Sequence, residues 1–241
     1  MQTLMLTLSA MLICSLVMGR ILFWLDNTAF INGISRRLLA FIPWDYEEIK
    51  SSFLGLWYYL LPLLFTVLFC AAFSHPVFSF LFIHSHYLGF IPLTMLAEIS
   101  VATLMSGCLT LFSDTCNWSR EIGSISWIAS IRKRNKMVAP LVPLLAAFVE
   151  ELFFRGVIFL ILYTRFPQLG LLGATAISTA LFTAEQMLFT ENPRQGLSML
   201  LAPAGMSVVA CLATAYTGSL LPALLAHETF LLFYFGRFRY Y

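Results

Sequence analysis

The chain has 241 residues, 60% of them hydrophobic, 15% aromatic and only 11% charged, with a mean hydropathy of +0.85. Soluble domains carry about a quarter charged residues and cannot hide this much apolar surface, which excludes soluble enzymes and soluble binding modules. The net charge of +2 comes without a basic face, so no nucleic-acid footprint is present.

A transmembrane helix needs about 20 mostly apolar residues. Such runs fall at residues 2–25, 52–73, 88–112, 138–162, 169–189, 197–216 and 218–235. They predict an all-α, polytopic transmembrane helical bundle and a single integral membrane domain over 1–241. The first 24 residues have no basic leader and no small-residue cleavage site, so they read as a retained first span. Pro76 to Tyr87 is apolar but too short to cross; as a re-entrant piece or an added crossing it makes the count seven to eight. With the loop at 26–51 in the cytoplasm, Arg36, Arg37, Lys50, Arg120, Arg132, Lys133, Arg134, Lys136, Arg194, Arg237 and Arg239 share one side, and Arg165 alone lies opposite. That asymmetry sets the basic loops as cytoplasmic.

Between the third and fourth spans, Trp118, Ile122, Ile125, Ile128 and Ile131 recur at helical spacing beside Arg120, Arg132, Lys133 and Arg134, predicting a helix in the membrane interface. Phe230 to Tyr241, with Arg237 and Arg239, reads as an interfacial anchor. Gly170, Gly173 and Ala174 permit close helix approach. Cys14, Cys70, Cys108, Cys116 and Cys211 lie mainly in apolar runs without CxxC or metal-ligand spacing, so they read as free thiols.

Chemistry concentrates in Phe148-Val149-Glu150-Glu151-Leu152-Phe153-Phe154-Arg155-Gly156, two carboxylates and a guanidinium inside an apolar span. Each such charge costs about 2.5–3.5 kcal/mol on insertion scales, so three together imply mutual pairing, a water-filled cavity, or both. Glu151 and Arg155, four apart, pair on one helical face, while Glu150 points about 100° away. Glu185 with Gln186, and His227 with Glu228, place further polar groups in two other predicted helices. A buried carboxylate serves as general base or acid, and an imidazole or amide orients water or donates to an oxyanion. Packing alone is the favoured reading of His227 taken by itself, and a helix-packing ion cluster is the lesser reading of Glu150 and Glu151. His84 and His86 read as ordinary interfacial polarity ahead of a metal or proton site. Glu98, inside the third span, joins the cavity or pairs with Arg20.

Glu-Glu-x-x-x-Arg at 150–155, Phe-x-x-x-polar at 182–186 and Ala-His at 226–227 resemble the CPBP family of intramembrane proteases (CAAX protease and bacteriocin-processing, Abi), over residues 138–235. The resemblance implies glutamate-based hydrolysis of a peptide bond in a membrane-associated protein or peptide. Glu150 would be the base, Glu151 and Arg155 would hold its helix and polarise the site, and His227 would stabilise the oxyanion. Scattered carboxylates and one histidine make a poor zinc set, so no metal and no cofactor are expected. Membrane lipid and a peptide or membrane-protein substrate are the expected partners, in a bacterial inner membrane with the eukaryotic endoplasmic reticulum as the alternative; the sequence sets no oligomeric state.

Two positions depart from the family's pattern. Gln186 stands where the family has histidine, and an amide cannot exchange a proton at useful pH. Leu231 stands where the third motif continues to asparagine, and offers no donor. Glu185 is an alternative proton acceptor, but lies about 100° around its helix from Gln186. These departures carry the alternative of a catalytically impaired member acting as a membrane scaffold or binding partner. A proton-coupled transporter is a third class, for which no inverted repeat or pair of broken helices speaks.

Overall fold

The computed structural model describes residues 2–26, 28–112, 118–125, 128–129 and 141–237. Cys116, Ile131, Arg132, Lys133, Arg134, Lys136, Arg239 and the expected beginning of the fourth span at 138–140 lie outside them. Among the described residues the chain is all-helical, without a strand. Its helices are α1 (Gln2–Asp26), α2 (Ala29–Leu38), α3 (Tyr46–Phe73), α4 (Phe90–Phe112), α5 (Trp118–Gly123), α6 (Leu141–Glu150), α7 (Leu160–Arg165), α8 (Gly170–Met187), α9 (Pro193–Thr217) and α10 (Leu221–Arg237). A π-helical segment, Glu151–Phe159, joins α6 to α7.

Helix ends follow local chemistry. Thr28, Asp45 and Asn192 accept the backbone N–H three residues on, at 3.3, 2.7 and 2.9 Å, and so cap α2, α3 and α9. Pro193 opens α9, where its missing N–H costs nothing, and Gly218 ends it at φ +64°.

Four helices among the described residues are long and apolar enough to cross a membrane, over Gln2–Ile21, Tyr46–Phe73, Ser85–Leu111 and Pro193–Thr217. Their outward faces carry exposed leucines such as Leu6, Leu64, Leu96 and Leu200, the pattern of surfaces that meet lipid. By that measure the expected seven to eight is not reached. One reason is physical: the fourth expected span is split between α6, the π-segment and α7, so no regular helix there is long enough. Pro76 to Tyr87 folds as two short 3₁₀ turns, Val77–Leu81 and Ser85–Tyr87.

The loop at 26–51 contains α2, whose Ile31 and Ser35 are buried. Of the expected interfacial helix, α5 covers Trp118–Gly123, and Ile131 to Arg134 lie outside the described residues. Ile125 and Ile128 are buried. Gln195 Nε2 donates to the Ser124 hydroxyl at 3.1 Å, tying this stretch to α9.

The π-segment is the central strut, with all nine of its residues buried. It packs against α3, α8, α9 and the turn at Val77–Leu81, while α4 packs on α9 and α10. The wider register, seen where the Leu160 N–H reaches the Arg155 carbonyl, shifts backbone pairing, and buried carbonyls recruit side chains. The Ser178 hydroxyl donates to the Phe154 carbonyl at 2.9 Å. His75 Nε2 lies 2.8 Å from the Gly156 carbonyl and donates to it. Gly156 is required by packing: a Cβ there would stand 2.6 Å from the Val77 side chain and 3.0 Å from that of Leu220.

Candidate active site

The fold draws polar side chains from five segments to one place beside the π-segment. Glu150 ends α6, Glu151 begins the π-segment, and Arg155 follows one turn later. The expected ion pair forms, with Arg155 Nη1 3.2 Å from Glu151 Oε1. Arg155 is 1% exposed, so its charge is compensated within the protein: Glu151 supplies the counter-charge and the Phe182 ring lies 4.2 Å from the guanidinium carbon.

His227 arrives from α10. Its Nδ1 lies 2.8 Å from Glu151 Oε1, a contact in which the imidazole N–H donates to the carboxylate. That bond fixes the ring, and Nε2 then faces Glu150 Oε2 at 3.8 Å. Phe182 packs edge-on to the imidazole, with centroids 6.2 Å apart. Neighbouring carboxylates thus have different surroundings. Glu151 is locked between a guanidinium and an imidazole, whereas Glu150 has an imidazole at longer range and a phenol.

That phenol is Tyr58 of α3, whose hydroxyl donates to Glu150 Oε1. Glu185 is buried and Gln186 only half-buried; the Gln186 amide donates sideways to Glu185 Oε2 at 2.9 Å. Of the two neighbours, Glu185 is therefore the one turned into the protein. Glu228, half-buried, follows His227 along α10, and Leu231 lies one turn further.

Glu98 of α4 is buried while Arg20 is exposed on α1, so the two do not stand as a buried pair. His84 and His86 stack on each other at 5.7 Å in the turn before α4, remote in sequence and fold from this cluster. No group of three or more His, Cys, Asp or Glu suited to a metal ion occurs among the described residues. Cys14, Cys70, Cys108 and Cys211 are free thiols.

Tyr58 escapes the sequence reading because a tyrosine in Leu56-Trp57-Tyr58-Tyr59, near one end of an apolar run, looks like an interfacial anchor. His75 and Ser178 escape because their partners are carbonyls exposed by a change of helical register that the sequence does not announce.

The arrangement suits water activation. A carboxylate with few partners, Glu150, stands beside a ring whose orientation is fixed by a second carboxylate, the geometry that general base catalysis requires. Residues 134–233 match the family model for Rce1-like proteins, described as type II CAAX prenyl endopeptidase Rce1-like. No curated protein and no solved structure matches the chain.

Proposed function

We propose, from the premise that residues 134–233 of this integral membrane protein belong to the Rce1-like type II CAAX prenyl endopeptidase family, that the chain is a glutamate-dependent intramembrane protease. The observation that carries the reading is His227 set between two unequal carboxylates, 2.8 Å from Glu151 and 3.8 Å from Glu150.

In this reading Glu150 takes a proton from water as the water oxygen attacks the peptide carbonyl carbon. The intermediate carries its negative charge on the former carbonyl oxygen, and the His227 side chain donates a hydrogen bond to it. Glu151 holds the imidazole through Nδ1, and Arg155 holds Glu151 in place. Gln186 contributes an amide that orients Glu185. Electrostatic stabilisation of this kind gains strength where water is excluded, and Glu151 and Arg155 are almost wholly buried.

The membrane arrangement we infer has seven crossings: the four long apolar helices, the α6–π–α7 rod, α8 and α10. Arg36, Arg37, Arg120 and Arg194 then lie on the cytoplasmic side and Arg165 on the other. The substrate is a membrane-associated protein or peptide, and a bacterial inner membrane is the proposed location. A scaffold without catalysis is the second reading, favoured by two observations: the amide of Gln186 bonds to Glu185, and Leu231 offers no hydrogen bond.

N-terminal proteomics of host membranes separates the two readings, comparing cells with no protein, the wild type, Glu150→Ala and Gln186→His at matched expression. New termini with the wild type that vanish with Glu150→Ala are expected. Identical termini for wild type and folded Glu150→Ala would hand the site to the scaffold reading.

A further inference from the structure

The adjacent tyrosines Tyr58 and Tyr59 of α3 make different bonds to α6. Tyr59 donates to the Val142 carbonyl at 3.0 Å, a tie that fastens one helix to the other. Tyr58 donates instead to a carboxylate oxygen, Glu150 Oε1. Its ring is wedged: it packs edge-on against Phe189, just past the end of α8, and against Tyr59, with centroids 5.8 and 6.1 Å apart. A tyrosine that anchors an apolar helix directs its hydroxyl to the membrane surface, whereas this one is turned across a helix contact onto a buried acid.

That bond makes the two oxygens of Glu150 unequal. Oε1 accepts from Tyr58, while Oε2 faces His227 Nε2 at 3.8 Å, beyond hydrogen-bond range. A glutamate side chain has several rotatable bonds, and a base that wanders among rotamers loses its alignment with water. Glu151 is held by a guanidinium and an imidazole; among the described residues, the hydrogen bond that holds Glu150 comes from Tyr58.

From this we infer that Tyr58 is the positioning residue of the base: its hydroxyl fixes Oε1, so that Oε2 is the oxygen presented to His227 and to water. Tyr58 lies well before the family-matched stretch 134–233. The inference rests on the proteolytic reading above. As water attacks, its O–H bond breaks and the proton passes to Oε2, its oxygen bonds to the carbonyl carbon, and the carbonyl π pair moves onto the carbonyl oxygen. Tyr58 keeps its own hydrogen throughout and acts through Glu150 alone.

The test uses the purified full chain in lipid vesicles and a peptide carrying one cleavage site drawn from the wild-type termini, with kcat, KM and the unfolding midpoint measured for Tyr58→Phe, Tyr59→Phe and Glu150→Gln. Loss of one hydrogen bond to a charged group should lower kcat of Tyr58→Phe by about 10- to 10²-fold and leave KM within about twofold. Tyr59→Phe, which gives up a bond to a carbonyl, should lower the unfolding midpoint while kcat stays within about threefold. A Tyr58→Phe protein with kcat within about twofold of wild type, or with its whole loss in KM, would overturn the positioning role; with Glu150→Gln inactive, the protease would still stand. If Tyr58→Phe does not fold, mono-, di- and trifluorotyrosine at position 58 decide, since they keep the ring and grade the hydroxyl as a donor. A kcat that follows donor strength at constant KM supports the role, and a kcat flat across the series overturns it. Wild-type rates from Glu150→Gln, or no cleavage by the wild type, would remove the proteolytic reading and this role together.

Discussion

The two halves of the bundle use polar side chains in opposite ways. From α6 to α10 the chain concentrates charge: Glu150, Glu151, Arg155, Glu185 and His227 are all buried, and most bond to one another. From α1 to α4 the interior polar groups are more scattered, and two of them reach across into the other half, Tyr58 to Glu150 and His75 to the Gly156 carbonyl. The family pattern stops at residue 134 on its N-terminal side, yet the cluster is closed by residues from before it. The first half is therefore part of the site's wall and not only a jacket toward lipid.

The comparison breaks most visibly at Arg155. Arg155→Met leaves Glu151 as a buried carboxylate without its guanidinium partner, and a loss of about 3–5 kcal/mol in unfolding free energy is expected in detergent titration. A change below about 1 kcal/mol would mean that the second half does not depend on its internal pair. The seam between the halves is tested by Gly156→Ala. Its methyl group meets Val77 from the first half and Leu220 from the second, so overpacking should cost about 1–3 kcal/mol, read as a lower unfolding midpoint. A Val77→Ala change combined with it should return part of that loss.

The smallest effect is expected at His75, in the turn after α3. Burial pushes its imidazole below the ordinary histidine range; the Gly156 carbonyl acts against that shift and the Arg165 charge adds to it. The unfolded chain then binds the proton more readily than the folded one, so the contribution is complete above the ordinary value of about 6.5 and is lost as pH falls through it toward the lower folded value. The wild-type unfolding midpoint should fall over that window, and His75→Gln should flatten the dependence. An equal slope in both proteins would detach His75 from the seam.

Charges inside apolar runs are easy to read in this sequence because they are expensive: Glu150, Glu151, Arg155, Glu185 and His227 stand out, and the four-residue spacing of Glu151 and Arg155 already contains their pairing. The helical class follows from composition for the same reason. Harder features depend on orientation. Glu185 and Gln186 are neighbours, and which one turns inward is decided by the rotation of α8 in its packing against the π-segment. The π-register itself is hidden in Glu151–Phe159, whose residues suit an ordinary apolar helix equally well. With it are hidden the roles of Ser178 and His75, which exist to serve carbonyls of that segment. Tyr58 is ambiguous on spacing alone, since only the approach of α3 turns a boundary tyrosine into a partner of Glu150.

The central claim is that Glu150 performs the chemistry, and the most direct measurement is the cleavage rate of one substrate, drawn from the wild-type termini, by purified protein in lipid vesicles. Wild type is compared with Glu150→Gln, which keeps the size of the side chain and its capacity to accept from Tyr58. A fall of at least about 10²-fold with an unchanged unfolding midpoint is the expected result. Equal rates from the two folded proteins would contradict the account.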